Sequence, residues 1–102
     1  MSGWTKIVAL NDIPKLGSRV VRSAKGEIAV FRTGDDRVFA LHNQCPHKGG
    51  PLSQGIVYGD KVACPLHGWK ISLASGDAEE PDEGHSACFV VKVEDGTVYL
   101  EL

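Results

Sequence analysis

Short stretches in which β-branched and aromatic residues alternate with polar ones recur along most of the chain. Strands of a half-buried sheet show this period of two, and these residue types pack well on a pleated surface. The pattern predicts strands at residues 5–10, 18–22, 27–33, 37–42, 89–93 and 97–102. Only residues 11–16 offer a helical turn, with Asn11 or Asp12 as its cap and Pro14 near its start.

Turn-forming residues separate the predicted strands. Glycine or aspartate occurs at 24–26, 34–36, 58–60, 75–77 and 94–96, where tight turns need positive φ or a side chain that bonds its own backbone. Antiparallel hairpins follow from this spacing. The sequence therefore predicts an all-β fold, an antiparallel sandwich or barrel, formed by one domain over residues 1–102.

Two segments interrupt the strand pattern. Residues 43–51 and 64–70 concentrate cysteine, histidine, glycine and proline, which is typical of loops. Between them, residues 56–58 and 61–63 predict a hairpin around Gly59-Asp60. The two loops are therefore expected side by side, in an inserted subdomain at about residues 43–73.

Composition and charge narrow the possible partners. The chain has 102 residues, 42% of them hydrophobic and 24% charged, as in an ordinary globular domain. A net charge of -2 without a basic run argues against nucleic acid and anionic membranes. With no stretch long enough to span a bilayer and no leader-like start, we expect a cytoplasmic protein.

The cysteines point to metal binding. Their number is odd, three, and two of them lie close to a histidine, which favours ligation over disulfides. The first loop contains Cys45-Pro46-His47 and the second Cys64-Pro65-Leu66-His67. A zinc finger usually separates a cysteine pair from a histidine pair, whereas each loop here mixes them. The mixture suits two metals that each take one ligand from each loop, with zinc binding as the alternative.

This paired-loop motif resembles the Rieske family, in which two cysteines hold one iron and two histidines the other. All four matching positions are present, at Cys45, His47, Cys64 and His67. The resemblance covers the chain from Trp4 to its end. It implies a 2Fe-2S cluster and a Rieske-type β fold carrying an inserted two-loop subdomain.

Imidazole ligands predict a pH-dependent reduction potential. Replacing two thiolates by neutral imidazoles makes the cluster less negative, so an added electron costs less than in an all-cysteine cluster. If the ligating histidines expose their second nitrogen, the oxidised cluster favours loss of that proton. The potential should then fall as pH rises, and protein-film voltammetry across the alkaline range measures it. A potential that stays constant there would contradict the histidine assignment.

The chain departs from high-potential Rieske proteins at the loops. The positions of their inter-loop disulfide are Gly50 and Leu66 here, so no such bridge forms. Their cluster-facing serine and tyrosine correspond to Trp69 and Ile71, which cannot make those hydroxyl hydrogen bonds. The resemblance thus implies a low potential for a Rieske centre, about -150 mV.

The remaining histidines, the third cysteine, Trp69 and the acidic segment are expected to have structural roles. His42 and His85 lack a cysteine at ligand spacing, so we expect ordinary hydrogen-bonding or surface roles. Cys88 lies in an apolar stretch and is expected to be a buried small hydrophobe. Trp69 is expected to pack, with partner docking as its alternative. The acidic segment 77–83 is expected to be a solvated loop, and a docking role for it is a hypothesis.

The chain shows no dinucleotide fingerprint and no second metal motif, so no catalytic residue is predicted and activity as an isolated enzyme is uncertain. It resembles the small subunit of cytoplasmic NAD(P)H-dependent nitrite reductase at Trp4, 45–55, 64–67, 71–73, Asp82-Glu83-Gly84 and 90–96. That resemblance implies a large partner subunit carrying flavin, an iron-sulfur cluster and sirohaem, which reduces nitrite to ammonium. The alternatives are a soluble Rieske ferredoxin of an aromatic-ring dioxygenase and a redox-inactive scaffolding subunit.

Overall fold

The computed structural model describes residues 3–24, 26–44, 50–65, 68–79 and 84–101. These residues form short strands and two 3-10 turns, Leu10–Asp12 and Leu52–Gln54, without any α-helix among them. The strands are β1 (Trp4–Ala9), β2 (Gly17–Ser23), β3 (Gly26–Arg32), β4 (Val38–His42), β5 (Ile56–Tyr58), β6 (Lys61–Ala63), β7 (Lys70–Ser72), β8 (Cys88–Phe89), β9 (Val91–Glu94) and β10 (Thr97–Glu101).

The strands make three antiparallel sheets. Sheet A has the order β1-β10-β9, sheet B the order β2-β3-β4-β8, and sheet C the order β5-β6-β7. Sheet C lies in the chain between β4 and β8, which pair with each other through Ala40–Phe89 and Leu41–Cys88. The segment that carries sheet C therefore leaves and re-enters sheet B at neighbouring positions.

Strand β3 is buried on both faces because it lies between two hydrophobic cores. Ala29 and Phe31 belong to the site-side core, and Ile28 and Val30 belong to the far core. Fully burying a large apolar side chain contributes roughly 1.5–3 kcal/mol, so this four-residue apolar run stabilises both halves of the fold. The site-side core consists of Ala29, Phe31, Leu41, Leu52, Val57, Val62, Cys64, Ile71 and Leu73, and the far core of Ile13, Ile28, Val30, Ala40, Val98 and Leu100.

The antiparallel all-β fold and most of the predicted strands are confirmed. The hairpin of β5 and β6 forms as predicted, with Tyr58 opposite Lys61 across Gly59-Asp60. The helical turn predicted at 11–16 is instead a 3-10 turn at Leu10–Asp12. The loop predicted at 64–70 is one residue too long, since Lys70 begins a third strand of sheet C.

The single strand predicted at 89–93 was wrong. Cys88–Phe89 pairs with β4 in sheet B, whereas Val91–Glu94 pairs with β10 in sheet A. The chain crosses between the sheets at Val90, whose side chain is exposed. A continuous apolar run has the same appearance whether one sheet or two bury it, so periodicity alone could not find this break.

No helix within the described ranges has the length and apolar character that a bilayer crossing requires.

Candidate metal centre

Of the four predicted ligands, the structure describes Cys64. Cys45, His47 and His67 lie outside the described residues. Among the residues that are described, no group of three or more His, Cys, Asp or Glu side chains is arranged to hold a metal ion. The site is therefore characterised through Cys64 and through the segments that flank both ligand loops.

Cys64 lies at the base of the hairpin that joins β6 to β7. Its N–H donates a 2.7 Å hydrogen bond to the carbonyl of Trp69, and its own carbonyl accepts a 3.1 Å bond from Gly68 N–H. Gly68 has φ of 71°, a conformation that glycine adopts at little cost. These bonds join the two described ends of the second loop and fix the Cys64 backbone.

The Cys64 side chain is 3% exposed and belongs to the site-side core. Its sulfur is therefore held in low-dielectric surroundings, from which bulk water is excluded. Trp69 packs against the same core, which confirms the packing role expected for it.

Asn43 and Ser53 join the two ends of the first loop. Asn43 Oδ1 accepts a 2.8 Å bond from Ser53 N–H, and Asn43 N–H donates to the Glu27 carbonyl at 2.9 Å. The Ser18 hydroxyl donates to the Ser53 carbonyl at 2.7 Å, which ties this end to β2. Sequence reasoning missed Asn43, although asparagine directly after a strand is a known signal for local side-chain-to-backbone bonding.

The flanks of the two loops lie against each other at Gly55. A Cβ placed there would lie 2.2 Å from the Ala63 carbonyl oxygen and 2.9 Å from Val62 Cγ2. Only glycine permits this approach of the segment after the first loop to the strand that leads into Cys64. The expected proximity of the two loops is thus present in their described flanks.

The start of the acidic segment, residues 77–79, is hydrogen-bonded to the hairpin that carries Cys64. Glu79 N–H donates to the Lys70 carbonyl at 2.7 Å, Ala78 N–H donates to the Gly84 carbonyl at 2.9 Å, and Asp77 bridges His85. Residues 77–79 therefore lie beside β7, and residues 84–85 lie beside residues 77–78. Residues 80–83 lie outside the described part.

Both described acids of this segment are paired. Asp77 Oδ1 lies 2.8 Å from His85 Nδ1, and Glu79 accepts a 2.7 Å bond from the Lys61 ammonium. That hydrogen bond lowers the pKa of Glu79 and raises the pKa of Lys61. Asp77 and Glu79 therefore already have cationic or hydrogen-bonding neighbours within the chain, which lessens their capacity to attract a partner.

The family model for Rieske-like [2Fe-2S] domains matches residues 3–101. The chain belongs to the Rieske [2Fe-2S] family. Its cofactor is a Rieske-type 2Fe-2S cluster, and its role is electron transfer.

Full-length relatives of this Rieske protein fall into two groups. Ferredoxin CarAc of Metapseudomonas resinovorans is 34% identical over 95% of this chain and 92% of its own length. A chain of the complex of reduced oxygenase and oxidised ferredoxin in carbazole 1,9a-dioxygenase is 30% identical, with a TM-score of 0.85 over 99% of this chain and 94% of that one. Several other curated relatives are longer, and the Rieske protein spans 22%, 18% and 17% of three of them.

The second group is represented by a solved structure provisionally assigned as the small subunit of an NADPH nitrite reductase. It is 28% identical, with a TM-score of 0.86, and the match covers 97% of this chain and 98% of that one. Both groups thus share the Rieske fold over nearly their whole length. The two groups differ in the proteins that their names pair them with, an oxygenase in one and a nitrite reductase in the other.

The described residues fit a cluster that has a cysteine ligand at Cys64. A thiolate is a suitable iron ligand, and the Cys64 backbone is fixed by two hydrogen bonds. A Cβ added at Gly68 would meet no heavy atom of the described residues within 4 Å. Backbone N–H groups beside a ligand can also bond to cluster sulfur.

The histidines that were excluded from the ligand set make other contacts. His85 is exposed beside Asp77, and the backbone carbonyl of His42 accepts a 3.0 Å bond from the Ser86 hydroxyl. Ile71, which the resemblance to high-potential Rieske proteins aligns with their tyrosine, is fully buried in the site-side core.

The expected burial of Cys88 was wrong. It is exposed on β8, the two-residue strand at the edge of sheet B, although its cross-strand partner Leu41 is buried in the site-side core. Cys88 lines a cavity of about 320 Å³ together with residues 38–40, 73–74 and 89–91. Among the described residues, none from the predicted ligand loops lines this cavity.

The two described cysteines should therefore differ in reactivity. We expect iodoacetamide to alkylate Cys88 in the folded holoprotein and to leave Cys64 unmodified, because only the first is exposed. Mass spectrometry of peptides after a timed reaction measures both. Alkylation of Cys64 at the rate of Cys88, with the cluster spectrum intact, would contradict the placement of Cys64.

Proposed function

We propose that this Rieske protein is the small subunit of an NAD(P)H-dependent nitrite reductase, and that Cys45 and Cys64 hold one iron while His47 and His67 hold the other. The choice of a nitrite reductase subunit over an oxygenase ferredoxin rests on Asp82-Glu83-Gly84, because the resemblance to nitrite reductase small subunits includes these residues. The described residues on either side of this element lie beside β7: Glu79 N–H donates to the Lys70 carbonyl, Ala78 pairs with Ile71, and Ala78 N–H donates to the Gly84 carbonyl.

The cluster supplies one-electron chemistry when bound. Cys64, which is 3% exposed, would hold the cluster, and Leu52 and Ile71 are fully buried with Cys64 in the site-side core. A fixed, apolar environment limits rearrangement of solvent when charge changes. The remaining chemistry, reduction of nitrite to ammonium, belongs to the large subunit in the proposed cytoplasmic complex.

A Rieske ferredoxin that serves an oxygenase is the second candidate. The 34% identity to ferredoxin CarAc over nearly the whole of both chains favours it. The two candidates share the cluster and differ in their partner, so a partner's chromophores distinguish them.

The deciding experiment is anaerobic affinity capture of the holoprotein from its source cells, followed by optical spectroscopy of the large protein that accompanies it. A partner with sirohaem and flavin supports the nitrite reductase proposal. A flavin reductase or a mononuclear-iron oxygenase would overturn it in favour of the ferredoxin. A zinc-loaded chain, silent in reduced-state EPR, would instead indicate a scaffolding subunit and contradict both.

A further inference from the structure

The outer face of sheet C is an exposed surface beside the ligand hairpin. Val57, Val62 and Ile71 form one cross-strand row that points into the site-side core. Because side chains alternate along strands, the rows on either side point to the opposite face. These rows are Ile56, Ala63 and Lys70 at the end nearest Cys64, and Tyr58, Lys61 and Ser72 at the end nearest the Gly59-Asp60 turn.

Two large apolar side chains are exposed together on this face. Ile56 is 72% exposed and Tyr58 is 39% exposed, and both lie on β5, the edge strand of sheet C. Residues two apart on a strand share a face, so the pair forms one patch. A single exposed apolar residue needs no explanation, but a contiguous patch on a small domain is typical of a protein contact surface.

The charges on this face are unequal at its two ends. At the turn end, Lys61 is paired with Glu79 at 2.7 Å, and Asp60 lies in the adjoining turn. At the cluster end, Lys70 is exposed and forms no ion pair within 4.0 Å with a described carboxylate. Lys70 is also attracted to the Glu79 carboxylate at longer range, so the cluster end presents an isoleucine and an exposed ammonium, which complement an apolar surface that carries a carboxylate.

This end of the face is covalently continuous with the second ligand loop. Ala63 directly precedes Cys64, and Lys70 directly follows Trp69. The backbones of Cys64 and Trp69 are joined by a 2.7 Å hydrogen bond, so the face and the loop form one hairpin. A protein seated on Ile56 and Lys70 would lie against the strands that carry the cluster.

We propose that Ile56, Tyr58, Ala63 and Lys70, the docking face, bind the large redox subunit of the complex, with Ile56 in an apolar depression and Lys70 opposite a carboxylate. This inference rests on the proposed function for the identity of the partner. It assigns the main contact to the β5–β7 sheet rather than to the acidic segment, whose described carboxylates are already paired.

A double substitution tests the docking face. The variant Ile56→Thr with Lys70→Glu keeps strand-compatible residues at exposed positions, so it should fold and retain its cluster spectrum. The matched control is Val93→Thr with Lys6→Glu on sheet A, where both residues are also exposed. We expect the docking-face variant to bind the purified large subunit at least about tenfold more weakly, and the control to bind within about twofold of wild type. The loss of binding affinity caused by Lys70→Glu should be smaller at high salt.

A photo-cross-linking amino acid at position 56 or 93, introduced in the source cells, gives a second measurement. An adduct between position 56 and the sirohaem subunit, without one from position 93, supports the docking face. If wild type captures that subunit but the docking-face variant binds equally well, the docking face is wrong and the nitrite reductase proposal stands.

If wild type instead captures an oxygenase or a flavin reductase, the nitrite reductase proposal fails and the same variants are titrated against that partner. A loss confined to the docking-face variant then supports the face, and equal binding overturns it. Failure of the wild-type holoprotein to bind any redox protein would overturn both proposals.

Discussion

Holoprotein carrying His47→Gln should lose the reduced-state EPR signal of a Rieske cluster. Glutamine offers no imidazole nitrogen, so one iron loses a ligand and the other proposed ligands, Cys45, Cys64 and His67, cannot complete the site. The measurement combines EPR after dithionite reduction with iron and sulfide analysis, which should fall from about two of each per chain to near zero. His67→Gln should behave in the same way.

Two other histidines provide the control for this prediction. His85→Gln and His42→Gln should keep the native signal, since His85 is exposed beside Asp77 and His42 lies in β4. A His47 variant with full iron content and an unchanged spectrum would show that the ligand assignment is wrong. Loss of the signal in the His85 variant would show that histidine substitution damages the fold rather than the site.

Gly55→Ala should destabilise the protein by roughly 2–4 kcal/mol, because the new methyl group meets backbone as well as side chain. The Ala63 carbonyl oxygen would lie 2.2 Å away and the Leu52 carbonyl oxygen 3.1 Å away. Relief requires the segment after the first loop to move off β6, which separates the flanks of the two ligand loops. Thermal unfolding followed by circular dichroism should show a fall in Tm of at least about 10 °C, with faster loss of cluster absorbance.

Gly34→Ala is the matched control. Its new methyl group would have only an ordinary contact, 3.5 Å from Leu16 Cδ2, and Gly34, like Gly55, does not have positive φ. The control should change stability by no more than about 0.5 kcal/mol. Equal melting temperatures for the two variants would mean that the approach of Gly55 to β6 is not close in solution.

Local patterns sufficed for much of this fold. Period-two alternation and turn glycines identified β1 to β4, the hairpin of β5 and β6, and β10, because those signals act between residues close in sequence. The side-by-side flanks of the ligand loops followed from that hairpin. The crossing at Val90 was missed because the choice between two sheets depends on partners more than forty residues apart, such as Leu41 and Cys88.

The wrong prediction for Cys88 and the residues that were missed beside the ligand loops also depend on tertiary contacts. Cys88 lies in a run of apolar residues, yet its exposure depends on β8 being an edge strand that ends after two residues. The bond between Asn43 and Ser53 and the contact of Gly55 with Ala63 are tertiary features, which a strand pattern does not encode. The ligand set stays a prediction from spacing and resemblance, whereas the residues that position Cys64 could be found only from the fold.

The pairing of β4 with β8 also bears on how such a protein can be built or rebuilt. The His42 N–H donates to the Ala87 carbonyl at 2.7 Å, so the whole segment between them departs and returns across one rung of a ladder. A short reverse turn spans the same distance, so the segment between His42 and Ala87 can be exchanged as a unit for such a turn. Removing the segment would expose Phe31 and Leu41 to solvent, so a shortened protein needs polar residues at these two positions.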